Sequence, residues 1–177
     1  ERSLSERSLS IRDQTFEPLG ADGTLPFTIS TVTDNPDVNT LRRVTGTFTV
    51  PNFLTGDGSP GHAFHYDDSA DPNALPSPNG TYQANFICNI PNSSVAGDGT
   101  AAPGRSLIYG HGLLGSGSEV CAGWAAENAQ SRHAIYFSSN MIGMAGEVFS
   151  GGGTAQYGNC DRTRRARSME IMGGIAD

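Results

Sequence analysis

The chain has 177 residues, of which 36% are hydrophobic, and a formal net charge of −7 at pH 7. This length and composition predict one globular domain. The acidic balance, with arginine but no lysine, argues against nucleic acid as a partner, because phosphate binding needs a basic face. Since the sequence contains no run of about 18 apolar residues, we predict no transmembrane segment.

Residues 1–57 carry Thr, Val and Phe at near-alternating positions, a pattern typical of strands. The segments FTISTVTD (27–34) and RRVTGTFTVPNFL (42–54) predict two antiparallel strands. A turn is predicted between them at residues 34–37, because Pro fixes φ and Asn and Asp accept local backbone hydrogen bonds.

A long loop rich in Gly, Pro, Asp and Ser is predicted at residues 55–79, and a further strand at TYQANFICNIP (81–91). The histidines and aspartates of this loop suggest a metal-site hypothesis, since imidazole and carboxylate groups are ordinary ligands for zinc or calcium. Their spacing is not diagnostic, and we favour a solvated acidic loop and predict neither a metal nor another cofactor. The residues concerned are His62, His65, Asp67, Asp68 and Asp71.

Residues 105–140 predict a strand, a Gly-rich turn, a helix and a second strand, which together form one βαβ unit. The apolar run at 107–109 indicates a strand covered on both faces. Ser116 and Glu119 have the spacing of a capping box, which predicts the start of the helix.

The helix is expected to end near Arg132, and residues 134–137 are expected to form the next buried strand. His133 stands where the helix meets this strand, so we predict a capping or surface residue there rather than a catalytic base.

The turn at residues 110–115, GHGLLG, satisfies the G-x-G-x-x-G pattern of dinucleotide-binding units. Such a unit would place a carboxylate at the end of the second strand for the ribose hydroxyl. That strand ends in FSSN (137–140) without one. Dinucleotide binding is therefore the third of our hypotheses for function.

The same turn, read as YGHGLLGS (109–116), resembles the His-Gly loop of secreted bacterial lipase-like α/β-hydrolases. Further segments resemble the same group in the same order, so that the resemblance covers residues 8–145. They are IRDQTF (11–16), TVTDNPDVNTLRRVTGTFTVPNFL (31–54), NGTYQANFICNIP (79–91) and SSNMIGMA (138–145). The last segment departs from the group, because Ser139, Asn140 and Met141 replace an acidic and aromatic pattern.

The resemblance implies an oxyanion hole formed by His111, Gly112 and Leu113. In such enzymes a backbone N–H after the His-Gly pair helps to bind the tetrahedral oxyanion. Leu113 would supply that N–H, Gly112 would permit close approach, and His111 would orient the loop.

A complete α/β-hydrolase also needs a G-x-S-x-G nucleophile elbow followed by an acid and a histidine. No such elbow is present, and no histidine follows Cys160. The catalytic residues are therefore unknown, and we interpret residues 146–177 as a divergent or disordered Gly/Arg-rich tail.

The predicted fold class is α/β, an incomplete α/β-hydrolase fold with an N-terminal antiparallel β-rich extension. We expect residues 1–145 to form the N-terminal part of the hydrolase domain, with the extension at 1–104 and the first βαβ unit at 105–145. An open sheet edge would favour association of the isolated chain.

For function we predict a fragment of a serine-type carboxylic ester hydrolase acting on a small ester or lipid, secreted or in the cell envelope, and inactive alone. The alternative is a non-enzymatic secreted β-rich binding or surface module. If the compartment is oxidising, Cys88 with Cys121 is the preferred disulfide, and free buried thiols are the other possibility.

Overall fold

The computed structural model describes residues 3–58, 62–141 and 145. The chain divides into two compact units, one of residues 1–27 and 48–84 and the other of residues 28–47 and 85–177. The predicted domain boundaries at 104 and 145 stay predictions. The tail predicted at residues 146–177 lies outside the described residues.

The first unit begins with helix α1 (Leu4–Phe16), which continues into a 3₁₀ helix, Glu17–Asp22. Ser3 and Glu6 form a reciprocal capping box at its start. The prediction that residues 1–57 are β-rich is therefore wrong for residues 4–22, whereas the strands predicted at 27–34 and 42–54 are present at Phe27–Asp37 and Thr40–Pro51. The helix contains no fully buried residue.

The long loop of the first unit, residues 55–79, has no helix or extended strand in its described part, as predicted. It is tied down by backbone hydrogen bonds. His65 N donates to Phe53 O (2.8 Å), Ser77 N donates to His65 O (3.0 Å), and Asn79 N donates to Asn52 O (2.6 Å). Gln14 of α1 also donates to Pro76 O at 2.9 Å.

The five strands form one mixed sheet in the order β1-β2-β3-β5-β4. Strand β3 pairs antiparallel with β5, whereas β4 and β5 are parallel. Helix α2 (Gly123–Arg132) connects the two parallel strands, so the predicted strand, turn, helix and strand are present. The strands are β1 (Phe27–Asp37), β2 (Thr40–Pro51), β3 (Thr81–Pro91), β4 (Arg105–Tyr109) and β5 (Ala134–Ser139).

The turn predicted at residues 34–37 is wrong, because β1 continues through these residues to Asp37. The chain turns at Val38 and Asn39 instead. Asp37 Oδ1 accepts hydrogen bonds from the backbone N–H of Asn39 (3.0 Å) and of Thr40 (2.9 Å). The aspartate therefore has the turn chemistry that the sequence suggested, but it acts just after the strand.

The core of the second unit lies between one face of the sheet and helix α2. Tyr109 and Cys121 pack against it. Its buried members are Ile87, Val120, Ala125, Ala129, Ala134 and Tyr136.

The prediction of an incomplete α/β-hydrolase fold is wrong for the described residues. That fold is a mostly parallel sheet with helices on both faces. Among the described residues of the second unit, β4 and β5 are a single parallel pair at one end of a mixed sheet, and α2 is the one α-helix. The described chain is a predominantly β structure with one helix-connected strand pair.

Strand β4 was predicted to be covered on both faces, and this prediction is also wrong. The strand is the last one at its end of the sheet. Ile108 is 86% exposed and Leu107 is 38% exposed. An apolar run is compatible with a buried strand, but burial depends on what packs against it, which the run itself does not encode.

Candidate functional site

The candidate site is the His-Gly loop, defined as residues 110–116, which follows β4 directly. Gly115 N donates to Gly112 O at 3.0 Å and closes the turn. Leu114 adopts a φ of +61°, in the left-handed region that L-residues other than Gly, Asn and Asp rarely enter. Such a conformation persists where surrounding contacts fix it, and it is common at ligand-binding sites.

His111 is the buried side chain of this loop, with 3% of its surface exposed. Its Nδ1 lies 2.8 Å from Gly112 O, and its Nε2 accepts the backbone N–H of Met141 at 2.9 Å. A carbonyl needs a donor and an N–H needs an acceptor, so the proton is on Nδ1 and the lone pair is on Nε2. Both ring nitrogens are therefore occupied, and neither is available to act as a general base.

Leu113, the predicted oxyanion donor, lies on the exposed side of the loop, with 69% of its surface accessible. Neither it nor its neighbours Gly112 and Leu114 donate a backbone N–H to any acceptor in the part of the chain that the structure describes. A Cβ added to Gly112 would meet nothing within 4 Å, so the space beside it is open. Within the described ranges, the loop therefore has backbone N–H groups without an acceptor and open space beside Gly112.

The segment after β5 holds the loop from the other side. Besides the Met141 contact, Asn140 Oδ1 accepts the N–H of Gly117 at 2.7 Å. Ser138 Oγ donates to Tyr109 O at 3.1 Å, and Gly115 forms a parallel bridge with Ala145. Sequence reasoning noted Asn140 and Met141 as departures from the resembled group but did not identify these contacts. The side-chain amide of Asn140 is a sequence signal for a hydrogen bond to the loop, whereas the backbone N–H of Met141 is common to nearly all residues and gives no such signal.

The capping box predicted from Ser116 and Glu119 is wrong. Ser116 precedes a 3₁₀ helix, Gly117–Cys121, and its side chain makes no capping bond. Its hydroxyl lies 2.5 Å from that of Ser118. The Glu119 carboxylate instead accepts the hydroxyl proton of Tyr109 at 2.7 Å.

The dinucleotide hypothesis requires the Gly-rich turn to open an α-helix, whose N-terminus would bind the pyrophosphate. Helix α2 begins only at Gly123, after the 3₁₀ helix, and ends at Arg132 as predicted. The geometry of the turn therefore does not favour this hypothesis. His133 is the C-cap residue of α2 with a φ of +50°, in agreement with its predicted capping position.

The metal hypothesis for the long loop receives no support, because no three His, Cys, Asp or Glu side chains in the described ranges are grouped to hold an ion. His65 Nδ1 lies 3.1 Å from both the carbonyl and the hydroxyl oxygen of Ser77. His62 lies near Thr55 and Asp57. Asp68 and Asp71 accept backbone N–H groups two residues further along.

The predicted Cys88–Cys121 disulfide is wrong. Cys88 is a free, half-buried thiol on β3, and burial raises its pKa above the ordinary value. Cys121 is in a disulfide. Cys160 lies outside the described residues.

Comparison of the chain with protein-family models, with curated proteins and with solved structures finds no match. Among the helices of the described residues, none has both the length and the apolar character needed to cross a membrane. The arguments for function therefore rest on the geometry of the His-Gly loop.

Proposed function

We propose that this chain supplies the oxyanion-binding loop for the hydrolysis of a carboxylic ester. The observation that carries the proposal is the backbone N–H of Leu113, which has no acceptor among the described residues in a largely exposed turn, beside the fixed ring of His111. A donor fixed before the reaction stabilises the negative charge that develops on a carbonyl oxygen. One such donor contributes about 3 kcal/mol to the transition state in known hydrolases.

Within this proposal His111 is a positioning residue. Its Nδ1–H bond to Gly112 O orients the Gly112–Leu113 peptide group, which itself carries the N–H of Leu113. Its Nε2 bond to Met141 fixes the ring in place. The described residues give this loop no activated nucleophile, because the Ser116 and Ser118 hydroxyls contact each other and His111 has no free nitrogen. We therefore expect the chain alone to bind an oxyanion without turning over an ester.

The disulfide at Cys121 supports an extracytoplasmic location, secreted or in the cell envelope, because disulfides persist in oxidising compartments. A non-enzymatic binding module is the second candidate, and one observation favours it. Strand β1 lies at an end of the sheet and exposes Phe27, Ile29 and Val32, each more than half accessible. Exposed apolar side chains on an edge strand are typical of surfaces that bind another chain.

The proposal is tested by titrating the ¹⁵N-labelled chain with ethyl methylphosphonate, a tetrahedral monoanion, and with ethyl acetate as the neutral control. We expect saturable shifts at the Leu113 amide with a Kd on the order of millimolar, about −4 kcal/mol. In Leu113→Pro the N–H is absent, and the phosphonate should no longer bind. Leu113→Ala removes the same side chain but keeps the N–H, so binding should persist. Equal loss in both variants, or no binding to the unaltered chain, would overturn the proposal.

A second assay measures turnover of a short-chain p-nitrophenyl ester and labelling by a serine-directed fluorophosphonate. We expect neither in the unaltered chain. Turnover of the ester or labelling by the fluorophosphonate in the unaltered chain would show that the expectation of inactivity is wrong.

A further inference from the structure

A half-buried hydrogen bond between side chains joins the two ends of the His-Gly loop. Tyr109, the last residue of β4, donates its hydroxyl proton to Glu119 Oε2 at 2.7 Å. Glu119 lies in the 3₁₀ helix after the loop, and its backbone N–H donates to Ser116 O at 3.1 Å. One side-chain hydrogen bond therefore closes residues 110–118 into a ring.

The carboxylate also fills the space beneath the turn. A Cβ built on Gly115 would collide with Glu119 Oε1 and approach Gly112 O at 3.0 Å, so the absence of a side chain at Gly115 leaves the space that the carboxylate occupies. Gly115 is the residue whose N–H closes the turn on Gly112 O. The position of Glu119 therefore bears directly on the peptide groups on either side of Leu113.

Tyr109 is in turn fixed by its surroundings. Its ring contacts Trp124 at a centroid distance of 5.8 Å and packs against the core of the second unit. Its carbonyl oxygen accepts the Ser138 hydroxyl. Glu119 is thus anchored to the sheet, while no arginine or histidine of the described residues forms an ion pair with it.

A carboxylate close to an anion-binding loop is electrostatically unfavourable for the anion. The carboxylate is compatible with anion binding if the loop geometry that it imposes outweighs the repulsion from its charge. We infer that Glu119, acting through its bond with Tyr109, is a positioning residue that sets the conformation of the His-Gly loop. The consequence for anion affinity rests on the proposed function, whereas the consequence for loop conformation does not.

The experiment compares Glu119→Ala, which removes the acceptor, with Glu119→Gln, which keeps an acceptor oxygen for Tyr109 but removes the charge. Tyr109→Phe removes the donor. Tyr136→Phe is the matched control, because the Tyr136 hydroxyl also donates at 2.7 Å, to Asn128, at a different place in the same unit. Amide hydrogen exchange at Gly115 is measured without any ligand, and melting temperature is measured in parallel.

We expect exchange at Gly115 to become about threefold to tenfold faster in Glu119→Ala and Tyr109→Phe, because one hydrogen bond is lost. In the double variant Glu119→Ala/Tyr109→Phe, exchange at Gly115 should be no faster than in either single variant, because both substitutions remove the same hydrogen bond. Tyr136→Phe should lower the melting temperature without changing exchange at Gly115. Equal exchange in Tyr109→Phe and Tyr136→Phe, or equal effects of Glu119→Ala and Glu119→Gln, would overturn the inference.

Where the unaltered chain binds ethyl methylphosphonate, Glu119→Gln should bind it as tightly or more tightly, since the carboxylate charge is gone and the loop is retained. Glu119→Ala should bind it at least threefold more weakly. Weaker binding in Glu119→Gln than in Glu119→Ala would overturn the inference. If the unaltered chain does not bind the phosphonate, the proposed function fails while the exchange data still decide the role of Glu119.

Discussion

The long loop and the His-Gly loop both contain histidines, but they differ in what their backbone N–H groups contact. In the long loop, Thr55, His65 and Ser77 all donate to backbone carbonyls. In the His-Gly loop, Gly115 donates to Gly112, whereas Leu113 has no acceptor in the described part of the chain. The named donors of the long loop are paired within the chain, whereas the N–H of Leu113 has no acceptor among the described residues, as the proposed function requires.

The two best-fixed histidines show the same difference. His65 uses Nδ1 to contact Ser77 on a neighbouring segment of its loop. His111 uses both ring nitrogens, one toward its own loop and one toward Met141 after β5. A loop with few internal backbone bonds thus relies on side chains for its conformation, which makes those side chains sensitive to substitution.

The largest expected effect on stability comes from reducing the disulfide of Cys121. This disulfide distinguishes the two loops, because the long loop contains no cysteine. Reduction should destabilise the second unit by about 2–4 kcal/mol, because a cross-link limits the unfolded chain. Urea unfolding with and without dithiothreitol measures this change, and Cys88→Ser should leave it unaltered. Amide exchange at Ser77 should not respond to reduction. An unchanged unfolding midpoint, or equal responses at Ser77 and Gly115, would contradict the prediction.

Substitution of the two histidines compares the loops directly. His111→Ala should cost roughly 2–3 kcal/mol, because it leaves a cavity and an unpaired Met141 N–H. His65→Ala should cost about 1 kcal/mol, since the ring is only half-buried and the backbone bonds of its loop remain. Chemical unfolding of both variants provides the values. A larger loss of unfolding free energy in His65→Ala than in His111→Ala would contradict the conclusion that the His-Gly loop depends more on its histidine.

A smaller effect is expected from the serines. Ser77→Ala removes a nearly buried hydroxyl that donates to Asp67 at 2.9 Å, and should cost about 1 kcal/mol. Ser116→Ala removes a hydroxyl whose contact is Ser118, and should cost less, about 0.5 kcal/mol. Unfolding midpoints of the two variants measured side by side test this order. Ser116 would need a further role if its substitution proved the more costly.

The smallest effect concerns Asp34 and Arg42, an exposed pair outside both loops whose atoms lie 2.6 Å apart. The hydrogen bond from Arg42 lowers the pKa of Asp34 below its ordinary value. The contribution to stability is therefore present above that ordinary pKa and is lost as the pH falls through the lowered one. An NMR titration should show the Asp34 pKa rising toward the ordinary value in Arg42→Gln, with almost no change in stability. An unchanged pKa would contradict the assignment.

Patterns with a clear period allowed β3 and the end of α2 to be predicted, because alternation and the 3.6-residue repeat act locally. The start of α1 was missed although the Ser3 and Glu6 capping pair was present in the sequence. The turn predicted at residues 34–37 is displaced, because β1 continues to Asp37 and the chain turns only at Val38 and Asn39. The first error came from weighing composition above a specific capping signal, and the second from turn residues that strand pairing overrode.

The candidate loop was predicted from its sequence, but the residues that hold it were not. The contact of Met141 uses a backbone N–H, which any residue except proline would supply. The Tyr109–Glu119 bond joins two residues whose side chains were assigned to a strand and to a helix cap. The exposure of Ile108 depends on what lies beside β4, which the sequence of the strand does not encode. Association of two copies of the chain through that sheet edge stays a prediction, which size-exclusion chromatography tests.

The central claim is that the His-Gly loop is ordered while the N–H of Leu113 has no acceptor among the residues that the structure describes. Residue-resolved amide exchange of the unliganded chain tests it most directly. The account predicts protection at Gly115 and Met141, whose N–H groups are bonded, and exchange near the unprotected rate at Leu113. Protection at Leu113 would mean that its N–H is already used, and loss of protection at all three positions would mean that the loop is not held. Either result would contradict the account.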